Sequence, residues 1–312
     1  MTKTALTTKH KSSAWARGGR WFPWLLILPS ILIILVIIGF PLIYSLYVSF
    51  TPYELLKPKS LSFEWSTAFN NYIKLWNDAT FWRAFWNTIL FLAFTVNVEY
   101  ILALALSQLL ARVSVGQGIM RTILMVPMMF APILVGFQFR WFFNTNLGLV
   151  NNGLIALGLI TESSRINWLV DVPLGMISIM LATIWMNIPV MTIILLAGTL
   201  SLPADVYEAA EVDGASGWQK FRNITFPLLA PFTYIALAIR SLDVARAFDI
   251  VRIMTDGGPA HRTELIWTYV TRLAMEDTKF GLGSAMGWIT VIISLAFTVY
   301  LFSQLVRSRV FQ

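Results

Sequence analysis

Residues 203–227 read PADVYEAAEVDGASGWQKFRNITFP, a polar interruption between two long apolar segments. The remainder of the chain repeats the apolar theme. Stretches without a charged residue run from Trp21 to Tyr53, Ala84 to Val98, Thr122 to Phe139, Val172 to Ala204, Asn223 to Ile239 and Phe280 to Val306. About 20 apolar residues cross a bilayer as a helix, so most of these can span it. The 312-residue chain is 57% hydrophobic and 12% charged, against about 25% charged in ordinary soluble domains. These features predict an all-α, polytopic membrane protein with six transmembrane helices, at roughly 24–50, 86–111, 119–141, 173–198, 227–249 and 284–306.

Composition also excludes chemistry. There is no cysteine, hence no disulfide, thiolate metal site or cysteine nucleophile. His10 and His261 are the only histidines, too few for a histidine-rich metal cluster. The net charge of +7 is read first as topology, since basic residues gather in cytoplasmic segments; no nucleic-acid partner is expected. With the N-terminus inside, the tail holds Lys3, Lys9, Lys11, Arg17 and Arg20, and the short inside segments hold Arg112, Arg121, Lys220, Arg222, Arg307 and Arg309. The longer outside loops, at about 51–85, 142–172 and 255–283, are less densely basic and rich in Trp, Tyr and Asn. Their tryptophans suit an interfacial belt or a landing surface for an extracytoplasmic partner. The expected organisation is a cytoplasmic basic tail (1–23), one transmembrane domain (24–306) with a loop at 200–227, and a cytoplasmic end (307–312). The first apolar run is too long for a signal-peptide core and is expected to remain as a helix.

Within the interruption, Pro203 suits the first turn of a helix, and Asp205 and Glu208 favour its positive end. Ala209 and Ala210 leave a flat surface, and Gly214 can take φ > 0 and end the helix. A second short helix follows through Trp218 and Phe221 before Pro227. A helix lying on lipid would carry Lys and Arg on its polar face. This one carries Asp205, Glu208, Glu211 and Asp213 and no basic residue, which favours a protein groove.

The segment Leu195–Pro231, including Glu208-Ala209-Ala210, Asp213 and Gly214, is similar throughout to the EAA region of carbohydrate-importer permeases. Phe248-Asp249 followed by Thr255-Asp256-Gly257-Gly258-Pro259 looks like their FD…T-GGP signature, and Gly281, Gly283, Ser284 and Ala285 fit the start of their last helix. Asn87-Thr88, Arg121…Pro127 and Leu147–Asn151 continue the pattern. The chain thus resembles the MalF-like, type I ABC sugar-permease family from Phe40 to Leu305, in a compact form without the maltose permease's extra helices and large periplasmic insertion. The resemblance implies an EAA loop docked on ABC ATPase subunits, a second homologous permease, a solute-binding protein outside, and a cytoplasmic (inner) membrane location. The solute implied is a sugar or sugar-like molecule.

The fifth span contains Arg240, Asp243, Arg246, Asp249 and Arg252, alternating in sign at every third residue. Neighbours three apart on a helix can neutralise one another, and charges at membrane depth face the bundle interior or a watery cavity. Arg246, Asp249 and Arg252 are expected as a self-paired ladder near the outer interface. Arg240 and Asp243 lie deeper and, by the resemblance, align with positions lining the sugar site, with Asn187 and Val190 on the facing wall. Pro189 is expected to bend that helix. Glu99 is a further buried polar residue, expected to pack or pair. No Ser/His/Asp set, paired carboxylates or phosphate-cradling glycine loop is visible, so no cofactor, metal or ATP hydrolysis is expected of this chain. The alternative is a self-sufficient secondary transporter, which should show an inverted repeat and a broken-helix ion site; neither is visible in the sequence.

Overall fold

The computed structural model describes residues 22–307. Most of the expected tail (1–23) and end segment (307–312) lies outside the described residues. The chain opens with α1 (Phe22–Ile34) and α2 (Phe40–Ser49), joined through a π turn at Leu35–Gly39 without leaving helical geometry. There follow α3 (Asn70–Trp76), α4 (Ala79–Arg112), α5 (Gln117–Met125), α6 (Pro132–Phe142) and α7 (Leu149–Ala156). The second half contains α8 (Leu174–Leu200), α9 (Ala204–Val212), α10 (Gly217–Lys220), α11 (Phe226–Leu228), α12 (Ala230–Ala245), α13 (Asp249–Met254), α14 (Ile266–Thr271) and α15 (Phe280–Arg307).

Among the described residues, four helical runs are long and apolar enough to cross a membrane: Trp24–Ser49, Ala79–Arg112, Leu174–Leu200 and Phe280–Tyr300. The other expected spans, three and five, are broken. Gln117–Met129 and α6 meet at 89°, and Gly217–Leu228 and α12 at 62°. Proline explains both breaks. Ala131 is held extended by the Pro132 that follows it (ψ 140°), because a residue before proline is driven out of helical geometry. At Leu229 the helix loses pitch (ψ −7°) next to Pro227 and Pro231, neither of which can donate a backbone hydrogen bond. Counting each bent pair as one crossing gives six. Pro189, by contrast, does not end α8, which continues from Leu174 to Leu200.

The core sits between α4 and α8. Phe91, Val96 and Ala103 of α4 share one buried cluster with Met180, Met191 and Leu195 of α8, Ala236 of α12 and Val251 of α13. Gly198 lets α12 approach: a Cβ there would lie 2.5 Å from the Phe232 ring. Beside the first turns of α4, a second cluster joins Leu75, Phe81 and Ala84 to Tyr269 of α14 and Met286 of α15. The first helix packs outside both. None of its apolar window is buried, and Ser45 accepts a hydrogen bond from Trp288 of α15 at 3.0 Å. A helix apolar all round and exposed along most of its length, with only Val48 and Ser49 buried at its end, has lipid as its natural surroundings.

Candidate functional site

The broken fifth span and α8 enclose a cavity of about 460 Å³. Thr183, Met186 and Asn187 reach it from α8, one above another at helical spacing. Arg240, Asp243 and Val244 reach it from α12, and Arg246–Ile250 from the turn into α13; Pro132 of α6 closes a side. Asn187, Arg240 and Asp243 therefore meet in one place, whereas Val190 is not part of the lining. Asn187 donates to the Thr183 carbonyl at 2.9 Å, which fixes its amide and leaves its Oδ1 available.

Arg240 is almost completely buried, and so is the partner that holds it. Its Nε and Nη2 donate to the two carboxylate oxygens of Glu99 at 2.9 and 3.1 Å, the bidentate geometry in which guanidinium–carboxylate pairs are strongest. Its Nη1 donates to Asp243 at 3.1 Å, and the other Asp243 oxygen accepts from Arg246 at 3.1 Å. The result is a chain Glu99–Arg240–Asp243–Arg246 running from the protein interior to the cavity mouth.

The ladder expected over Arg246, Asp249 and Arg252 is not formed. The helix stops at Ala245, Arg246 leaves helical geometry (φ −101°, ψ 13°), and Asp249 starts a new helix. The three-residue spacing is therefore not carried on one helix. Arg252 pairs with Asp256 and Glu276 instead, and Asp249 has no ion pair among the described residues. Beyond it, Gly257 and Gly258 adopt φ of +81° and +70°, the left-handed region that glycine enters without steric cost. The loop they shape is tied to α4: Asn87 donates to the carbonyls of Arg262 and Glu264, both at 3.0 Å, and Thr88 Oγ1 accepts from the Ile266 N–H at 3.0 Å. Two motifs far apart in sequence thus hold each other.

The polar interruption forms a braced loop at the opposite end of α8. Pro203 sits just before α9, and Asp205 lies in the first turn. Gly214 takes φ +74° and closes α9 with two bonds: its N–H donates to Glu211 O at 3.1 Å, and the Ala215 N–H donates to Ala210 O at 2.9 Å. This is the Schellman pairing that satisfies the last helix carbonyls. Ser216 and Gln219 cap α10 reciprocally. Lys220 binds Glu211 at 2.7 Å and holds its carboxyl below the usual range, while Tyr207 and Thr225 share a hydrogen bond of 2.8 Å. Asp205, Glu208, Ala209 and Asp213 are left exposed, together with Val206, Val212 and Trp218. Sequence reading missed the Glu211–Lys220 brace, although both residues were in view.

Comparison with known proteins gives this arrangement a family. Residues 99–312 match the family described as "Binding-protein-dependent transport system inner membrane component". A probable ABC transporter permease protein of Brucella suis biovar 1 (strain 1330) is 34% identical, covering 90% of this chain and 95% of that protein. The trehalose/maltose transport system permease protein MalF of Thermococcus litoralis is 32% identical over 88% of this chain and 90% of its own length. The sulfoquinovosyl glycerol transport system permease protein SmoG of Agrobacterium fabrum is also 32% identical, over 94% and 92%. Among solved structures, a bacterial ABC transporter involved in the import of the acidic polysaccharide alginate has a chain of the same fold, with a TM-score of 0.78 at 22% identity over 94% of this chain and 96% of that chain. The chain belongs to the binding-protein-dependent transport system inner membrane components and is a permease subunit of an ABC importer.

Proposed function

We propose that this chain forms half of the translocation pathway for a sugar or sugar-like solute, and that α9–α10 is the element through which ATP hydrolysis in separate ATPase subunits drives it. A second, homologous permease completes the pathway, and a solute-binding protein delivers the cargo to the face bearing the 255–264 loop. Both chain termini and the α9–α10 loop then lie in the cytoplasm. The observation that carries the reading is the loop itself: an exposed acidic helix, closed by Gly214 and braced by Glu211–Lys220, projecting from the bundle with Val212 and Trp218 uncovered. A shape of this kind fits a groove in a protein and is ill suited to anionic lipid.

The solute class follows from the cavity. Asn187, Arg240, Asp243 and Thr183 offer both donors and acceptors, the complement of a hydroxyl-rich molecule. The solutes named for two relatives, trehalose and maltose in one case and sulfoquinovosyl glycerol in the other, belong to that class. The test is co-purification followed by uptake. A stable complex with an ATPase subunit, lost in Glu208→Lys and Gly214→Pro, supports the reading. ATP-independent sugar uptake by this chain alone in liposomes would overturn it in favour of a secondary transporter.

A further inference from the structure

Among the described residues, each cation lining the cavity has a carboxylate partner. Arg240 spends three of its five N–H groups on Glu99 and Asp243, and Arg246, the other cation of the lining, is engaged by Asp243. Asp249 faces the cavity without an ion pair among the described residues. Glu99 does not line the cavity; it lies behind Arg240, fully buried. We propose that Glu99 sets the charge selectivity of this site, reserving it for an uncharged polyhydroxylated solute.

The proposal rests on the reading of this cavity as the solute pathway. An anionic solute needs a cation, and each one that this chain brings to the cavity already has a carboxylate partner. Drawing Arg240 away would strand the Glu99 carboxylate without a partner in a place where an unpaired charge is costly. Drawing Arg246 away would leave Asp243, already bound to Arg240 at 3.1 Å, with only the cation it divides with Glu99. Hydroxyl groups make no such demand. They can accept from the two remaining Arg240 N–H groups and donate to Asp243 and Asn187 Oδ1 without separating any pair. Glu99 is thus a positioning residue: it fixes the guanidinium and cancels its charge. With Glu99→Gln, Arg240 turns its charge to Asp243, and Arg246, two-thirds exposed, becomes the free cation.

The test uses the assembled importer in nanodiscs, without its solute-binding protein, so that selectivity is read at the permease. Equilibrium binding of trehalose and of digalacturonate is measured for wild type, Glu99→Gln and Glu99→Asp, with assembly checked by co-purification. Wild type should favour trehalose. Glu99→Gln should shift the ratio of the two dissociation constants toward digalacturonate by about tenfold, the equivalent of ~1.4 kcal/mol, and Glu99→Asp should restore it. A wild type that prefers digalacturonate or retains neither sugar overturns the proposal, as does an unchanged ratio in Glu99→Gln. The wild-type ratio stands as a test of its own if Glu99→Gln fails to assemble. Asn187→Ala and Asp243→Asn separate the two readings. If neither alters binding of either sugar, the cavity is not the pathway; if both weaken it while Glu99→Gln leaves the ratio unchanged, only the selectivity role fails.

Discussion

Glu99 and Arg240 stand 141 positions apart in sequence and meet as a buried bidentate pair, at 2.9 and 3.1 Å, between α4 and α12. Neither helix could carry its charge so deep alone. Removing one partner of a buried pair leaves the other uncompensated, at a cost of about 3–5 kcal/mol, whereas replacing both with apolar groups of similar size is often neutral. Glu99→Ala and Arg240→Ala should therefore each lower the thermal stability of the detergent-solubilised protein strongly. The double variant Glu99→Leu/Arg240→Met should recover most of it. A double variant as unstable as the sum of the singles would show that the two residues do not act as a pair.

Gly214 is a conformational requirement and not a packing one. A Cβ there meets nothing within 4 Å, but φ is +74°, a region that costs most L-residues about 1–2 kcal/mol and that Asn tolerates better. Retention of the ATPase subunit on the purified permease should fall in the order Gly, Asn, Ala, Val at this position. Equal retention by Gly214→Asn and Gly214→Val would remove the left-handed turn from the account of docking.

The Glu211–Lys220 brace makes a pH prediction. Its hydrogen bond and charge lower the Glu211 carboxyl from an ordinary value of 4.5. A depressed carboxylate contributes stability that is present above its unfolded value and lost as pH falls through its folded value. Local protection of α9–α10 in hydrogen exchange should thus be constant through neutral pH and decline only below the ordinary carboxylate range. The brace is exposed, so the effect is small and screened by salt. Glu211→Gln should abolish this acid-dependent part; a decline of the same size in that variant assigns it to other groups.

Gly198 reports the closeness of α8 and α12. A methyl there would lie 2.5 Å from Cγ of Phe232 and 2.9 Å from Leu229. Overpacking of this sort costs typically about 1–3 kcal/mol, so Gly198→Ala should destabilise the solubilised protein measurably. Phe232→Val in the same chain should relieve most of the loss, and additive losses would show that the two helices do not meet there.

The absence of cysteine gives the proposed orientation a direct check. Ala204→Cys on α9 should react with an impermeant maleimide only in inside-out vesicles, and Ser163→Cys, in the exposed turn at Glu162–Ser164, only in right-side-out ones. The reverse pattern would invert the topology.

Much of this was legible from local chemistry. Long uncharged runs gave the crossings, and Pro203, Gly214 and the acidic face gave the loop, because each depends only on neighbours in the chain. The two bends were less legible. Pro127, Pro132, Pro227 and Pro231 were in plain view, but whether a proline breaks a span or sits inside one, as Pro189 does, is decided by what packs against it. The charge ladder failed for a related reason: spacing by threes predicts pairing only while one helix lasts, and this one ends at Ala245. Glu99 was legible as a buried residue expected to pack or pair, but nothing local named Arg240 as its partner, since the two are joined by the packing of α4 against α12.

The bend at Leu229 joins the loop helices to the helix that carries Arg240. Arg240 stands eleven residues beyond it, or ~16 Å along α12 at 1.5 Å per residue. A tilt of about 10° about that joint would sweep the Arg240 backbone through ~3 Å by the same geometry, as long as one of its hydrogen bonds to Glu99. Leu229 thus sets the angle at which the loop helices meet the helix that holds the Glu99–Arg240 pair.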